Sequence, residues 1–265
     1  MRIAVRIRPA LPEDDLSAFA VGGRAFGDEV IEWKAPEQSV PRKADAIAIW
    51  GWRRGEVHRK NGHQVLVLER AYVDDRFRWI SAGWNGLNGH ARFVYVDDGG
   101  ARWREHFAHL LKPWRAHDDG HVLIMGQVPT DTAVRSVKFP EWLAKQAAEI
   151  RRITGEPPLF RPHPNFPRLR VPGTVLSTEP LDAALAGARQ VVTFNSNSGV
   201  DSVLAGTPTV AVDPGSMAYA VATHDGREAP GRPDRAQWAH RIAWAQWLPS
   251  EMRSGEAWAR LRTLI

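Results

Sequence analysis

The sequence predicts an α/β protein built on parallel β-sheets. Two observations lead to this prediction: short continuous apolar runs rich in β-branched residues, and helical segments that alternate with them along the chain. Continuous apolar runs are typical of strands buried on both faces, as strands are in a parallel sheet covered by helices. The predicted strands are 3–5, 46–50, 64–68, 122–125, 191–194 and 209–212.

The predicted helices lie in the second half of the chain. Pro140 opens the first of them, where a missing N–H is tolerated, and Gly155 ends it. A segment rich in tryptophan is predicted to be the last helix. The predicted helices are 141–154, 181–188, 200–205 and 235–248.

Two domains are expected from the length of 265 residues, because single domains commonly hold about 100–150 residues. The polar, turn-rich segment 111–120 precedes a new strand, so we place the boundary there. The predicted domains are 1–115 and 116–265. Two such domains facing each other across a cleft would bind ligands at the carboxyl ends of their strands.

Composition excludes several kinds of chemistry. The chain contains no Cys, which removes disulfides, thiolate nucleophiles and iron–sulfur ligation. No apolar run approaches the roughly 18 residues of a membrane helix, and residues 1–5 resemble a strand more than a signal peptide. We therefore expect a cytoplasmic protein without a membrane span.

Positive charge is concentrated in the first half of the chain. Residues 1–115 hold 19 of the 35 Lys and Arg but only 15 of the 30 Asp and Glu, within a net charge of +5. Such an excess favours a polyanionic partner. Trp50 and Trp52 lie among the densest cations, which suits either a DNA surface or a solvated loop beside two core tryptophans. The cations are Arg42, Lys43, Arg53, Arg54, Arg59 and Lys60.

The polar turn at 195–199 has the strongest functional pattern in the chain. Asn195, Ser196, Asn197 and Ser198 come between a predicted strand and a predicted helix, and Gly199 permits close approach of a ligand. Free backbone N–H groups, Ser hydroxyls and a helix start together favour a phosphate. The alternative is an ordinary helix cap, for which one Ser is sufficient.

A second candidate segment lies before this turn. His163 stands between two prolines, which predict a rigid loop, and Arg161 is two residues away. Both side chains can contact a diphosphate, His163 as a hydrogen-bond donor and Arg161 as a bidentate cation. Asp201, in the first turn of the following helix, can accept from ribose hydroxyls. A structural histidine is the alternative for His163.

Three segments carry a resemblance to a known family. Residues 161–164 resemble the HP motif of GT-B glycosyltransferases, residues 195–208 resemble the serine motif of their capsule-polysaccharide and sialyltransferase-like branch, and 126–131 resembles the loop that starts their nucleotide-sugar domain. The family commonly has Glu where this chain has Asp201. The resemblance implies a GT-B fold of two Rossmann-like domains. The donor-binding residues that it implies are Gln127, Arg161, His163, Glu179, Asn195, Ser196, Asn197, Ser198, Gly199 and Asp201.

The same resemblance implies the substrates. The donor is expected to be a nucleotide sugar, a UDP-sugar such as UDP-glucose more than a CMP-sugar. Segments 68–77 and 84–89 resemble phage-encoded proteins of this fold class, which include enzymes that add sugars to DNA bases. That likeness implies transfer to a hydroxymethyl-pyrimidine such as 5-hydroxymethylcytosine, in the cytoplasm of a bacterial host. The residues expected to bind the DNA are Arg53, Arg54, Trp84 and Asn85.

Transfer to a hydroxyl requires a carboxylate that takes the proton. Glu69 ends a predicted strand and is expected to be this base, with Asp74 in the next loop as second choice. Alternatively, Glu69 pairs with a neighbouring Arg, and Asp74 only forms a turn. We expect neither a tightly bound cofactor nor an essential divalent metal, because Arg161, His163 and the helix start can neutralise a diphosphate. The Asp-rich turn beside His117 matches no defined metal motif.

Other functions stay open at this point. One is a glycosyltransferase of capsule or another surface polysaccharide, with the same donor site. Another is a non-catalytic nucleic-acid-binding protein on the same fold. An epimerase acting on a UDP-sugar ranks last.

Overall fold

The computed structural model describes residues 1–7, 15–34, 43–116 and 119–265. Its strands, in chain order, are β1 (Arg2–Arg6), β2 (Glu29–Trp33), β3 (Ala46–Trp50), β4 (Gln64–Arg70), β5 (Ile80–Trp84), β6 (His121–Met125), β7 (Leu159–Arg161), β8 (Val175–Leu176), β9 (Ala188–Thr193), β10 (Thr209–Ala211) and β11 (Gln246–Trp247). Its helices are α1 (Asp15–Ala25), α2 (Gly55–Lys60), α3 (Ala101–His106), α4 (Phe139–Thr154), α5 (Leu181–Ala186), α6 (Ser198–Leu204), α7 (Ala236–Ala243), α8 (Pro249–Ser254) and α9 (Glu256–Leu261).

The chain forms two compact units. Unit 1 comprises Met1–Trp103 and Ala239–Ile265, and unit 2 comprises Arg104–Trp238. The division between the units therefore comes before the predicted boundary at residue 115, and the last segment of the chain returns to unit 1. The sequence analysis assigned that segment to the second domain because it placed a single boundary in the turn-rich segment 111–120.

Unit 1 contains a mixed six-stranded sheet in the order β11-β5-β4-β3-β1-β2. Strands β1 to β4 are parallel to one another, whereas β5 is antiparallel to β4, and β11 is antiparallel to β5. The prediction of a purely parallel sheet is thus wrong for one edge of unit 1. The antiparallel strand β5 has the sequence Ile-Ser-Ala-Gly-Trp, whose small residues gave no strand signal.

Helices from both ends of the chain cover one face of this sheet. Leu16 and Phe19 of α1 share a core with Met252 of α8 and Trp258 of α9. A Cβ atom on Gly22 of α1 would lie 1.8 Å from the Met252 carbonyl oxygen, so only glycine permits this approach of α1 and α8. The returning segment is therefore an integral part of the unit 1 core.

A buried arginine ties α3 to the returning segment. The Arg102 guanidinium donates to the Glu251 carboxylate, 2.8 Å to Oε2, and to the carbonyl oxygens of Ala243 and Gln246, both at 2.9 Å. It also lies 4.8–5.6 Å from the ring centres of three tryptophans, which are Trp79, Trp244 and Trp247. Its charge is thus paired, hydrogen-bonded and surrounded by aromatic rings.

Unit 2 contains an entirely parallel five-stranded sheet in the order β10-β9-β6-β7-β8. Apolar residues of α4 pack on one face and those of α5 on the other, as the continuous apolar runs predicted. From β6 the chain moves to β7 and β8 on one side and then to β9 on the other. The order of strands therefore reverses between β6 and β9, and parallel sheets bind ligands at the carboxyl ends of strands at such a point.

The predicted fold class is confirmed: the chain is an α/β protein with two Rossmann-like units. The predicted helix 235–248 is only partly correct, since α7 ends at Ala243 and β11 follows it. No helix among the described residues is long and apolar enough to cross a membrane.

Candidate functional site

A hydrogen-bond network joins the ends of β6, β9 and β10 in unit 2. The Gln127 amide donates to Asn195 Oδ1 at 2.8 Å, and the Asn195 backbone N–H donates back to Gln127 Oε1 at 3.2 Å. Asn195 Nδ2 in turn donates to the Ala133 carbonyl at 2.7 Å and to Asp213 Oδ1 at 3.0 Å. Gln127 and Asn195 are both buried. Their hydrogen bonds therefore fix the loops that follow β6 and β9, at the switch point of the sheet.

Asp213 was not among the predicted site residues. It follows β10 and accepts hydrogen bonds from Asn195 and from the Gly215 backbone N–H, the latter at 2.8 Å. The signal for it was present, because Asp213-Pro214-Gly215 is a turn sequence directly after a predicted strand. A polar turn directly after a predicted strand was also part of the pattern that selected residues 195–199, so this signal could have identified Asp213.

The polar turn is more fully hydrogen-bonded than the sequence suggested. The Ser196 N–H donates to Thr193 Oγ1 at 3.0 Å, and the Ser198 N–H donates to Ser196 Oγ at 3.2 Å. The Gly199 N–H donates to the Ser196 carbonyl at 2.9 Å. The expected cradle of free backbone N–H groups is therefore wrong for these three residues. Asn197 and Ser198 are half-buried, so contact with a ligand would come from side chains.

Gly199 packs inside the corner. A Cβ atom there would lie 3.1 Å from Thr193 Cγ2, so the glycine serves close packing of α6 against the end of β9. Asp201, one turn into α6, is half-buried.

The HP segment lies beside the end of β6. The Gly126 N–H donates to the Arg161 carbonyl at 2.7 Å, and a Cβ atom on Gly126 would come within 2.9 Å of that oxygen. Arg161 ends β7, and its guanidinium donates to the backbone carbonyl of Glu179. The Glu179 side chain is exposed after the outermost strand, β8.

The tautomer of a neutral His163 ring follows from its hydrogen bond to the backbone. Its Nδ1 accepts a hydrogen bond from the Asn165 backbone N–H at 3.1 Å. A neutral imidazole that accepts at Nδ1 carries its proton at Nε2. In this neutral tautomer the half-buried ring has an N–H donor at Nε2, the type of group with which an anionic ligand forms a hydrogen bond.

The structure brings most of the predicted donor residues to one edge of unit 2. Residues from the ends of β6, β7 and β9 lie side by side there because all the strands run in the same direction. One further group follows β8: the Ser177 hydroxyl is buried and has no hydrogen-bond partner within the described part of the chain.

In unit 1, Glu69 lies at the carboxyl end of β4. It is half-buried, and a Cβ atom on Gly51 would lie 3.1 Å from Glu69 Oε1. Gly51 has φ +74°, so both its backbone conformation and the nearby carboxylate favour glycine. The exposed Arg53 and Arg54 follow in the same loop. The structure therefore brings Glu69 and these two predicted acceptor-binding residues to the same edge of the sheet.

Asp74 is exposed in the next loop, with φ 65°, and accepts a hydrogen bond from Trp79 Nε1 at 3.2 Å. The buried Gln246 side chain holds the start of this loop. Gln246 Oε1 accepts from the backbone N–H groups of Tyr72 and Val73, and its Nε2 donates to the Val73 carbonyl, all at 3.0 Å. The returning segment thus positions the chain that follows Glu69.

Trp84 and Asn85 lie at the opposite end of the unit 1 strands from Glu69. Because β5 is antiparallel to β4, its end lies beside the beginning of β4. Trp84 is 0% exposed and donates from Nε1 to the Leu261 carbonyl at 2.9 Å. Asn85 accepts from the Val65 N–H at 2.8 Å and donates to Gln64 Oε1 at 2.7 Å. Trp84 and Asn85 thus make core and turn contacts, and their role in acceptor binding stays a prediction.

The cation cluster is largely exposed. Trp50 and Trp52 are half-buried, and Arg42 lies outside the described residues. The Arg70 guanidinium lies 5.4 Å from the ring centre of Trp50 and 4.6 Å from that of Phe77, which is 78% exposed. The sequence analysis did not identify Phe77. The exposed cations are Lys43, Arg53, Arg54, Arg59 and Lys60.

No group of three or more His, Asp or Glu side chains among the described residues could hold a metal ion. His117 and Asp118, which belong to the Asp-rich turn of the sequence analysis, lie outside those residues.

Two Rossmann-like units with polar residues at the carboxyl ends of their strands define the fold of the GT-B class. A solved structure of Thermosulfurimonas dismutans KpsC, the beta Kdo 2,7 transferase, is similar with a TM-score of 0.58 at 14% identity, over 98% of this chain and 99% of that one. The beta Kdo 2,4 transferase of the same KpsC is similar with a TM-score of 0.59 at 15% identity, over 96% and 94%. At these identities the likeness shows the fold. No protein-family model and no curated protein sequence matches the chain.

Proposed function

We propose that this protein is a glycosyltransferase in which unit 2 binds a nucleotide sugar and unit 1 binds a hydroxyl acceptor. The observation that carries the proposal is the position of His163. Its Nε2–H donor and Arg161 lie at the carboxyl edge of an all-parallel sheet, beside the switch point and the Gln127–Asn195 network. The similarity of the fold to two Kdo transferases supports this function.

Unit 2 would hold the leaving group. His163 Nε2–H, the Arg161 guanidinium and the Ser196 and Ser198 hydroxyls are the groups that we propose for the phosphate oxygens. Asp201 would accept from the ribose, and Glu179 lies at the far end of this edge. We expect a UDP-sugar before a CMP-sugar. Because the N–H groups of the turn are already bonded, the side chains would supply most of the binding.

Glu69 would be the general base. The acceptor oxygen attacks the anomeric carbon, the bond from that carbon to the phosphate oxygen breaks, and the proton of the acceptor goes to the Glu69 carboxylate. The negative charge stays on the departing phosphate, where His163 and Arg161 would stabilise it. Asp74 is the second choice, since its carboxylate already accepts from Trp79.

For the acceptor we propose a hydroxyl of a surface polysaccharide, because both structures with the same fold are named as Kdo transferases. A hydroxymethyl-pyrimidine in DNA is the second candidate. It is favoured by the exposed cations from Arg53 to Lys60, which follow the carboxyl end of β3. Trp84 cannot act as a wedge between bases while it is buried, so a DNA acceptor would depend on Phe77 or Trp52 for stacking.

A thermal-shift screen of UDP-sugars and CMP-sugars, including the CMP-activated form of Kdo, identifies the donor. A true donor raises the Tm with its concentration. We expect His163→Ala to abolish that shift and the exposed His109→Ala in the same unit to preserve it. If His163→Ala keeps the full shift, the donor site is assigned wrongly.

The second stage measures transfer by mass spectrometry with the donor so identified. Kdo-containing oligosaccharide and 5-hydroxymethylcytosine DNA are offered as acceptors in parallel reactions, with unmodified DNA as the control. Sugar on the oligosaccharide alone supports the first acceptor, and sugar on modified DNA alone supports the second. Absence of transfer to either acceptor would contradict the proposed acceptors while leaving the donor result intact.

A further inference from the structure

Unit 2 contains an open cavity of about 280 Å³ away from the candidate donor site. Val122 and Gln190 stand at the beginnings of β6 and β9, and Ile150, Ile153 and Thr154 stand at the end of α4. The cavity therefore lies towards the amino ends of the parallel strands, whereas the donor residues follow the carboxyl ends. Its volume is close to the lower limit of about 300 Å³ for small-molecule pockets.

The walls of this cavity combine an apolar surface with a few polar groups. Ile153 lines the cavity and is 47% exposed, so part of its aliphatic side chain is accessible to a ligand. The remaining wall comes from the loop 226–230 and from Arg189. The apolar lining residues are Val122, Ile150, Ile153, Ala229 and Pro230, and the polar ones are Thr154, Arg189, Gln190, Arg227 and Glu228.

Gln190 supplies the second observation. Its register partner in the sheet is Val122, and paired residues of neighbouring strands project from the same face. Val122 shares a core with Ile150 of α4, so the Gln190 side chain also lies on the α4 face, where the cavity is. Gln190 Nε2 is buried and has no hydrogen-bond partner within the described residues. Buried donors are normally satisfied, so this amide calls for an acceptor.

The charges of the wall indicate which acceptor it would be. Arg227 is paired with Asp225, at 2.5 Å between its Nη2 and Oδ2, and this pairing lowers the pKa of Asp225 to about 2. Arg227 also interacts with Glu149 and with Glu228, the carboxylate of the wall, whereas Arg189, the second cation of the wall, has no ion pair within the described residues. A carboxylate ligand is complementary to an amide donor and a cation, and its alkyl chain is complementary to the isoleucine and valine surface.

We propose that this cavity is a binding site for a small aliphatic carboxylate, whose carboxylate accepts from Gln190 Nε2 and whose chain contacts Ile150 and Ile153. The site is independent of the donor site, because it uses none of the residues assigned to nucleotide-sugar binding. Occupation would link the end of α4 to the loop 226–230, both of which contribute to the wall.

The test uses hexanoate as the probe and hexan-1-ol as its uncharged counterpart, with the whole chain labelled at the isoleucine δ1 methyl groups. We expect hexanoate to shift the Ile150 and Ile153 methyl signals in a saturable way and hexan-1-ol to bind at least several-fold more weakly. Gln190→Leu should weaken hexanoate binding on the order of tenfold, as expected for loss of a hydrogen bond to a charged group. The exposed Gln237→Leu is the matched control and should bind like the unaltered protein.

If Gln190→Leu fails to fold, intermolecular contacts between hexanoate protons and the two isoleucine methyl groups of the unaltered protein decide the question. Contacts to Ile150 and Ile153 support the proposal. Three results would overturn it: no saturable shift at millimolar hexanoate, equal binding of hexan-1-ol, or unchanged affinity in a folded Gln190→Leu protein. Donor binding measured in the thermal-shift screen is expected to be the same in both glutamine variants.

Discussion

The two sheets differ in which polar residues meet at the carboxyl ends of their strands. In unit 2 every strand is parallel, so Gln127, Asn195 and Asp213 come from three different strands and bond directly to one another. In unit 1 β5 runs opposite to β4, so Glu69, near the end of β4, and Asn85, directly after β5, lie at opposite ends of the strands. Strand direction, more than distance along the chain, decides which polar residues meet.

Among the described residues each unit has one buried arginine, and the two are stabilised in different ways. Arg102 in unit 1 has the Glu251 carboxylate as its counter-charge. Arg235 in unit 2 donates to the carbonyl oxygens of Val203 and Lys112 and lies 3.9 Å from the ring centre of Trp114. Burial lowers the pKa of Arg235, with Asp234 opposing the effect. The buried arginine of unit 1 is therefore part of an ion pair, whereas that of unit 2 is stabilised by carbonyl oxygens and an aromatic ring.

The largest expected effect is a loss of turnover from a change in unit 1 that leaves donor binding by unit 2 intact. Glu69→Gln keeps the size of the side chain but removes the base, so we expect turnover to fall about 100-fold to 10,000-fold while donor binding is unchanged. Turnover and the donor-induced Tm shift are measured on the same preparation. Asp74→Asn is the matched control. Full activity of Glu69→Gln together with loss of activity in Asp74→Asn would transfer the role to Asp74.

The next effect compares the two buried arginines. Arg102→Ala leaves Glu251, whose side chain is only 13% exposed, without its cationic partner and should destabilise unit 1 by about 3–5 kcal/mol. Arg235→Ala leaves unpaired carbonyl groups and should destabilise unit 2 by about 1–3 kcal/mol. Hydrogen exchange read by mass spectrometry reports each unit separately. The comparison fails if the two variants destabilise their units equally.

A smaller effect tests the two edges of the unit 1 sheet. Asn85→Gly retains the positive φ but loses both side-chain hydrogen bonds, so we expect a loss of about 1–2 kcal/mol of stability with the acceptor KM unchanged. Arg53→Ala combined with Arg54→Ala should have the opposite profile, with a raised acceptor KM and little change in stability. A raised KM in Asn85→Gly would instead support the predicted role of Asn85 in acceptor binding.

The smallest effect concerns pH. Desolvation lowers the pKa of His58 in unit 1, with His63 and Arg6 adding to it, and desolvation also lowers the pKa of His121 in unit 2. The unfolded chain therefore binds these protons more readily. Stability is complete above about pH 6.5, the ordinary histidine pKa, and is lost as the pH falls through the folded values. Unfolding of each unit is compared at pH 7.5 and pH 5.5.

His58→Gln should reduce the pH dependence of unit 1 alone, and His121→Gln that of unit 2 alone. An unchanged pH dependence in either variant would assign the effect to other groups, such as the buried Asp28. Burial raises the pKa of Asp28, but hydrogen bonds from the amino terminus and Trp258 lower it by more. The net effect is a lowered pKa. Its contribution is lost only at more acidic pH.

Unit 2 was predictable because its sequence pattern and its topology follow the same rule. The strands 122–125, 191–194 and 209–212 and the helix 141–154 agree with β6, β9, β10 and α4 to within a few residues. Parallel strands then bring their carboxyl ends together, so the candidate residues could be grouped without coordinates. The hydrogen bonds inside the turn 195–199 could not be foreseen, because they depend on the backbone path and on the Thr193 side chain.

Unit 1 was less predictable for two physical reasons. The strand β5, Ile-Ser-Ala-Gly-Trp, contains a single β-branched residue, Ile80, and nothing local shows that it runs opposite to β4. The second reason is the return of the chain. Gln246 reaches the loop after Glu69, and Arg102 reaches Glu251, across more than 140 positions of sequence. Contacts of this range leave no periodic signal.

The discontinuity of unit 1 has a consequence for synthesis of the protein. Residues 104–238 emerge from the ribosome as one uninterrupted stretch, so unit 2 can assemble while translation continues. Residues 1–103 can complete the fold of unit 1 only after β11, α8 and α9 have been synthesised, which happens after unit 2 is made. Until then Trp84 and Phe19 lack the Trp258 ring, whose centre lies 6.3 Å and 5.4 Å from theirs. A nascent chain arrested shortly after residue 238 should therefore be a preferred client of chaperones that bind exposed aromatic surface.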